Sequence, residues 1–108
     1  AGELEGEVYE VAYKQDIEPG KAYIISEVSG ERAEYEIEIE SLDYSGDEEN
    51  KGILFKVTDE RLLDLTGGIV QGMSGSPIIQ NGKMIGAVTH VFVSDASMGY
   101  GIFIEKML

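Results

Sequence analysis

The sequence lacks or is poor in several residue types, and each shortage excludes a class of chemistry or architecture. None of its 108 residues is cysteine, which excludes disulfide bonds and thiolate metal sites. No apolar run approaches the roughly 20 residues that span a bilayer. The first ten residues, AGELEGEVYE, contain neither the basic nor the apolar region of a signal peptide. The chain itself is therefore expected to be soluble.

Basic residues are scarce and unevenly placed. Eight Lys and Arg stand against 21 Asp and Glu, for a net charge of −13, and residues 1–50 hold 16 of the acids with three of the bases. An acidic surface repels phosphate backbones, so nucleic acid is not expected as a partner, whereas a basic peptide or a basic neighbouring domain is favoured. A solvated sheet face that keeps the protein soluble explains the same charge without any partner.

What the sequence does contain is a series of strand patterns. In Glu34–Leu42 (EYEIEIESL) apolar and acidic residues alternate, which predicts a strand with one buried and one wet face. Similar short runs rich in Val, Ile, Tyr and Phe lie at residues 8–13, 22–28, 53–57, 84–93 and 101–105. We therefore predict a single all-β domain over residues 1–108, a small, mainly antiparallel six-stranded barrel.

Turn and loop residues support this prediction. Asn81-Gly82 between two apolar runs indicates a two-residue hairpin. Thr58–Leu65 followed by Gly67-Gly68 predicts one short helix near residues 60–66, with Thr58 or Asp59 as its N-cap. The acidic loop at residues 45–50 lacks the ligand spacing of a calcium loop, so no metal site is expected.

The stretch most informative about chemistry is residues 72–77, Gly-Met-Ser-Gly-Ser-Pro. Glycines allow a backbone turn in which two N–H groups aim at one oxygen beside a serine hydroxyl. In such a loop Ser74 is the attacking nucleophile, and the N–H groups of Gly72 and Ser74 form an oxyanion hole. An ordinary Gly/Ser/Pro turn between strands is the alternative interpretation.

The segments GGIVQGMSGSPIIQNGKMIGAVTHVFV and GYGIFIE resemble the SpoIVB peptidases nearly residue for residue, whereas residues 1–50 match only in strand pattern. The resemblance implies the C-terminal barrel of a chymotrypsin-like peptidase domain. It also implies that Thr89, His90 and Val91 pair with the substrate backbone and that Gly101 lies near the pocket wall. No cofactor is expected.

By the same resemblance the parent protein is a serine endopeptidase of endospore-forming bacteria that cuts a membrane-associated regulator and so activates a sporulation sigma factor. Family members carry a membrane anchor, a PDZ domain and a first barrel that precede this segment. The resemblance thus implies an extracytoplasmic, membrane-associated parent protein located in the forespore intermembrane space.

A serine nucleophile needs a base and a group that orients it. The family supplies its histidine in a Gly-His-Gly-like segment, which this chain lacks, so the missing N-terminal barrel is expected to provide it and the isolated chain to be inactive. His90 is the one histidine here, and its apolar context favours a packed or substrate-edge strand residue over a base. Asp59 matches the family's third member but could equally cap the helix. Asp64 and Asp95 are weaker candidates, more typical of surface acids.

Two further expectations concern what the chain binds. The alternative to a peptidase half is a non-catalytic peptide-binding or assembly module that uses residues 83–93 as an edge strand. If the chain is the second of two barrels, isolating it exposes the surface that should meet the first, which favours a homodimer.

Overall fold

The computed structural model describes residues 2–4, 7–12, 16–27, 30–43, 52–66, 73–92 and 97–104. Within these residues the chain forms eight strands and one helix. They are β1 (Gly2–Leu4), β2 (Glu7–Val11), β3 (Gly20–Ser26), β4 (Ala33–Leu42), β5 (Ile53–Val57), α1 (Glu60–Thr66), β6 (Pro77–Gln80), β7 (Lys83–Val91) and β8 (Met98–Phe103).

Six of the strands close into a barrel. Their order is β3-β4-β5-β8-β7-β6 and back to β3, and every neighbouring pair is antiparallel. Closure removes the unpaired edges that an open sheet would expose. The predicted all-β, six-stranded, mainly antiparallel barrel with a short helix at residues 60–66 is confirmed.

The six strands of the barrel are not the six expected ones. Residues 77–80, left out of the expected set, form β6 because the turn at Asn81 (φ 53°) and Gly82 (φ 76°) has the two positive φ angles of a type I′ hairpin and needs a strand on each side. Strand β2, expected within the barrel, instead runs parallel to the start of β7, with Glu10 opposite Lys83, and β1 pairs with β2.

The interior of the barrel follows the alternation of the strands. On β4, Tyr35, Ile37 and Ile39 are 2% exposed or less, whereas Glu38 and Glu40 are exposed. The core that these residues join comes from every barrel strand and from α1, and it includes Ile24, Ile53, Phe55, Val57, Leu62, Ile78, Ile85, Val88 and Phe103. The acidic residues of β4 therefore lie on a wet face, as the sequence predicts.

Helix α1 follows the end of β5, and its Leu62 side chain anchors it in the core. Leu62 is fully buried, and Leu63 packs against the core while partly exposed. At seven residues α1 is far too short to cross a membrane, and no helix among the described residues is long and apolar enough to do so. Asp59 lies directly before the N-terminus of the helix.

Candidate active site

Ser74 lies at the second position of a tight turn formed by residues 73–76. The Ser76 N–H donates to the Met73 carbonyl at 3.0 Å, and Gly75 has a φ of 90°, the positive value that the third position of a type II turn requires. The Met73 side chain is 1% exposed and belongs to the core, whereas Ser74 is exposed. A buried anchor thus precedes a serine that faces solvent, and Ser74 makes no hydrogen bond among the described residues.

The turn is tied directly to β7. The Gly75 N–H donates to the Val88 carbonyl at 2.7 Å, and the Val88 N–H donates to the Ser76 carbonyl at 2.9 Å. These two bonds continue the β6–β7 ladder, whose register ends at Pro77 opposite Ala87. Because both bonds join backbone atoms, the position of Ser74 relative to β7 does not depend on side-chain rotamers.

Beyond Thr89, residues 90–91 form what we call the open edge. On one side they pair with β8, with His90 opposite Tyr100 and Val91 opposite Gly99. The Phe92 N–H donates to the Met98 carbonyl at 3.2 Å, so by alternation the N–H and C=O of Val91 point the other way, where no described strand pairs with them. The open edge begins two residues past Val88, whose backbone holds the Ser74 turn.

The side chains of Thr89 and His90 are linked to each other. The Thr89 hydroxyl donates to the Tyr100 carbonyl at 3.2 Å, and His90 Nδ1 lies 3.0 Å from the same hydroxyl oxygen. Because the carbonyl can only accept, the hydroxyl proton is committed to it, and Nδ1 must carry the proton of the second bond. His90 is exposed, and no hydrogen bond joins it to Ser74 within the described parts of the chain.

Gly101 lies on β8 between two barrel strands. It faces Ile53 of β5 on one side and Val88 of β7 on the other. A Cβ placed on Gly101 would lie 2.7 Å from Ile78 Cδ1 and 2.9 Å from the Ala87 carbonyl oxygen. Close packing of the barrel therefore accounts for glycine at this position, and its assignment to a pocket wall stays a prediction.

Asp59 lies between β5 and α1, and both of its carboxylate oxygens accept hydrogen bonds. Oδ1 accepts from the Arg61 N–H at 2.9 Å and from Arg61 Nε at 3.0 Å. Oδ2 accepts from Arg61 Nη2 at 2.9 Å and from the Glu36 N–H of β4 at 3.0 Å. The bond to the Arg61 N–H is that of a helix N-cap, one of the two roles that the sequence left open. The cap is present, and the catalytic role of Asp59 stays a prediction.

The electrostatics of Asp59 follow from these donors. The Arg61 guanidinium, and to a lesser extent the N–H groups of Glu36 and Arg61, hold the pKa of Asp59 well below its usual range, although burial acts in the opposite direction. Asp59 is therefore an anion at every pH at which the protein is expected to work. Its side chain is 11% exposed, against 66% for Arg61.

Other predicted residues lie outside this region. Gly72, one of the two predicted oxyanion donors, Asp95 and the acidic loop at residues 45–50 fall outside the described residues. Asp64 is exposed on α1, in keeping with a surface acid. No group of three acidic or histidine side chains that could hold a metal ion occurs in the part of the chain that the structure describes.

Two residues that sequence reasoning missed organise the fold, one of them at Asp59. The Arg61 side chain donates hydrogen bonds to both carboxylate oxygens of Asp59. Its position two residues after a predicted N-cap is the sequence feature that could have indicated this contact. Gln80 is 6% exposed, and its amide bonds the backbone ahead of β3: Nε2 donates to the Glu18 carbonyl at 2.8 Å and to the Lys21 carbonyl at 3.1 Å, and Oε1 accepts from the Glu18 N–H at 3.1 Å. Nothing in the sequence marked Gln80.

The fold and the turn together define a class of domain, a closed antiparallel β-barrel that presents an exposed serine beside an open strand edge. The family model described as SpoIVB peptidase S55 matches residues 2–108. The chain belongs to the SpoIVB peptidase family, which confirms the resemblance read from residues 67–93 and 99–105 and extends it over the first half. No curated protein and no solved structure matches the chain.

Proposed function

We propose that this chain is the nucleophile-bearing second barrel of a serine endopeptidase with Ser74 as its nucleophile. The observation that carries the proposal is the position of Ser74, exposed in a turn that the 2.7 Å bond from Gly75 to Val88 fastens beside the open edge. A peptide that pairs with the backbone of Val91 would run past this turn. Membership of a peptidase family supports the assignment.

The proposed reaction proceeds through an acyl-enzyme. Ser74 Oγ attacks the carbonyl carbon of the scissile bond while its proton passes to a histidine base. The N–H groups of Gly72 and Ser74 stabilise the negative oxygen that forms, a contribution typically worth about 10²–10³ in rate per donor. Collapse of the intermediate expels the amine, which takes the proton from the imidazolium. Water then hydrolyses the ester on Ser74 by the same steps.

The base comes, in this proposal, from a first barrel that precedes this segment in the parent polypeptide, and Asp59 orients its imidazole. The isolated chain is therefore nearly inactive, retaining at most the residual ~10³-fold acceleration over water that binding and an oxyanion hole supply. Its substrate is a membrane-associated signalling protein of sporulation, cut in the forespore intermembrane space. Without the first barrel the docking surface is exposed, and the chain dimerises, which light scattering at high concentration would test.

Labelling with a fluorophosphonate tests the proposed nucleophile, since these reagents react with activated serines. In the complete polypeptide with both barrels, mass spectrometry should find the label on the peptide that contains Ser74. Ser74→Ala should abolish labelling. Ser76→Ala is the matched control in the same turn, because only the backbone of Ser76 takes part in the turn bonds, and it should label normally.

A peptide-binding or assembly module is the second candidate, favoured by the backbone of Val91, which no described strand pairs with on the side away from β8. Such a module would bind an extended peptide by strand addition without any chemistry at Ser74. Complete absence of labelling with the first barrel present, together with peptide binding that Ser74→Ala leaves unchanged, would replace the peptidase proposal with this one.

A further inference from the structure

The Asp59 carboxylate has no hydrogen-bonding position left for a base. A carboxylate offers about four lone-pair sites, and four donors already use them at 2.9–3.0 Å: the Glu36 N–H, the Arg61 N–H, and Nε and Nη2 of the Arg61 side chain. An imidazole N–H that is to bond Asp59 must displace one of these donors. The two sets of donors differ in how readily they can leave.

The backbone donors are fixed, and the side-chain donors can be exchanged. The Glu36 N–H belongs to β4 within the barrel, and the Arg61 N–H belongs to the first turn of α1. The guanidinium, by contrast, sits at the end of a flexible stem whose side chain is 66% exposed. Its Nε and Nη2 each bond one oxygen of the carboxylate, an arrangement that we call the fork. Its withdrawal would free two positions and leave the carboxylate held by two backbone bonds.

Arg61 is also held where it is by contacts outside Asp59. Its Cζ lies 5.2 Å from the centroid of the Tyr35 ring, and Nη2 donates to the Glu34 carbonyl. These contacts keep the fork in place when Asp59 has no other partner. The other charged residues next to these positions on β4 and α1 are Glu34, Glu36 and Glu60, and the Glu36 carboxylate accepts from the hydroxyl of Thr58, one residue before Asp59.

The charge of Arg61 matters as well as its hydrogen bonds. A base that accepts the proton of Ser74 becomes an imidazolium, and a guanidinium on the same carboxylate would repel it. Asp59 stabilises the imidazolium fully only when the guanidinium has moved away. The Arg61 side chain therefore opposes the base in two ways. It occupies lone pairs of Asp59, and its positive charge repels the imidazolium.

We propose that Arg61 is a positioning residue of the peptidase, one that occupies the place of the imidazole at Asp59 and gives it up when the first barrel docks. This inference rests on the proposed function. Until docking, the fork keeps the carboxylate oriented and protects it from other donors. After docking, the two backbone N–H groups keep the orientation, and the imidazole takes the freed position.

The test compares Arg61→Gln with the unmodified protein in the complete polypeptide, measuring the rate of fluorophosphonate labelling of Ser74 against pH. Because Arg61 stays two residues from Asp59 after docking, its guanidinium still competes with the imidazole for the carboxylate. Arg61→Gln removes the fork and the charge, so labelling should be several-fold faster and the midpoint of the pH profile should rise by about one unit. Arg61→Lys keeps the charge but not the fork and should fall between the two. Lys56→Gln, which removes an exposed cation of β5 three residues before Asp59, is the charge-matched control and should match the unmodified protein.

Slower labelling in Arg61→Gln, or a rate and midpoint equal to those of the unmodified protein, would overturn the inference while leaving the peptidase intact. No labelling in the unmodified protein would remove the proposed function and the inference together. If Arg61→Gln fails to fold, ¹⁵N NMR of the Arg61 Nε–H in the unmodified chain decides. The protection of this Nε–H from hydrogen exchange should disappear when the first barrel is added. Retained protection would refute the displacement of Arg61 from Asp59.

Discussion

Replacement of Asp59 should separate its structural role from its electrostatic one. Asp59→Ala removes both the N-cap of α1 and the bond that the Glu36 N–H donates from β4. A lost cap costs about 1 kcal/mol, and a lost strand N–H bond costs about 1 kcal/mol more. Asp59→Asn keeps an amide oxygen for the cap, but its NH2 group cannot accept the bond from the Glu36 N–H. It should therefore cost about 1 kcal/mol for that bond, with little added by the ion pair, which solvent screens.

The pKa of Asp59 determines how its contribution to the free energy of unfolding changes with pH. Because the folded-state pKa of Asp59 lies below that of the unfolded chain, about 4, its charge stabilises the fold fully above pH 5. That contribution is lost as the pH falls through 4 toward the folded-state value. The free energies of unfolding of the unmodified protein and Asp59→Asn should therefore converge in acid, while Asp59→Ala should stay less stable than both.

Urea titrations followed by circular dichroism between pH 7 and pH 3 provide the measurement. Asp64→Asn removes the same charge from an exposed site on α1 and should change stability by less than about 0.5 kcal/mol at each pH. A gap between Asp59→Asn and the unmodified protein that stays constant with pH would refute the electrostatic part of this reasoning. An unchanged Asp59→Ala would refute the structural part.

Three smaller predictions concern packing and backbone geometry, each measured by urea denaturation. Gly101→Ala should lose about 1–3 kcal/mol, since its Cβ would lie 2.7 Å from Ile78 Cδ1, and a gain in stability would contradict this packing. Gln80→Leu should lose about 2 kcal/mol by leaving the Glu18 carbonyl without its amide donor, and a neutral result would show that water replaces the amide. Gly82→Ala should lose about 1 kcal/mol because its φ is 76°, whereas the same change at a glycine of negative φ carries no such backbone strain.

Local patterns predicted most of the secondary structure. The alternation of β4 and the bounds of β5 match the structure closely, because a half-buried strand imposes its period on the residues themselves. Strand β8 begins at Met98, three residues before the predicted start, and the reason is Gly99. A Cβ there would lie 2.8 Å from the His90 carbonyl oxygen, so close strand approach demands a glycine that disrupts the apolar pattern.

By itself, the sequence determined that the chain is a small all-β barrel, that a turn lies within residues 72–77, and that the chain resembles one peptidase family. These are properties of short segments, in which composition and spacing act directly on the backbone. Tertiary structure alone decided that β6 replaces β2 in the barrel, that no described strand pairs with Val91 on the side away from β8, and that the Glu36 N–H of β4 bonds Asp59. Each depends on which distant segments meet, and Glu36 lies 23 residues from Asp59 along the chain. Contacts at such separation leave no periodic trace in a single sequence.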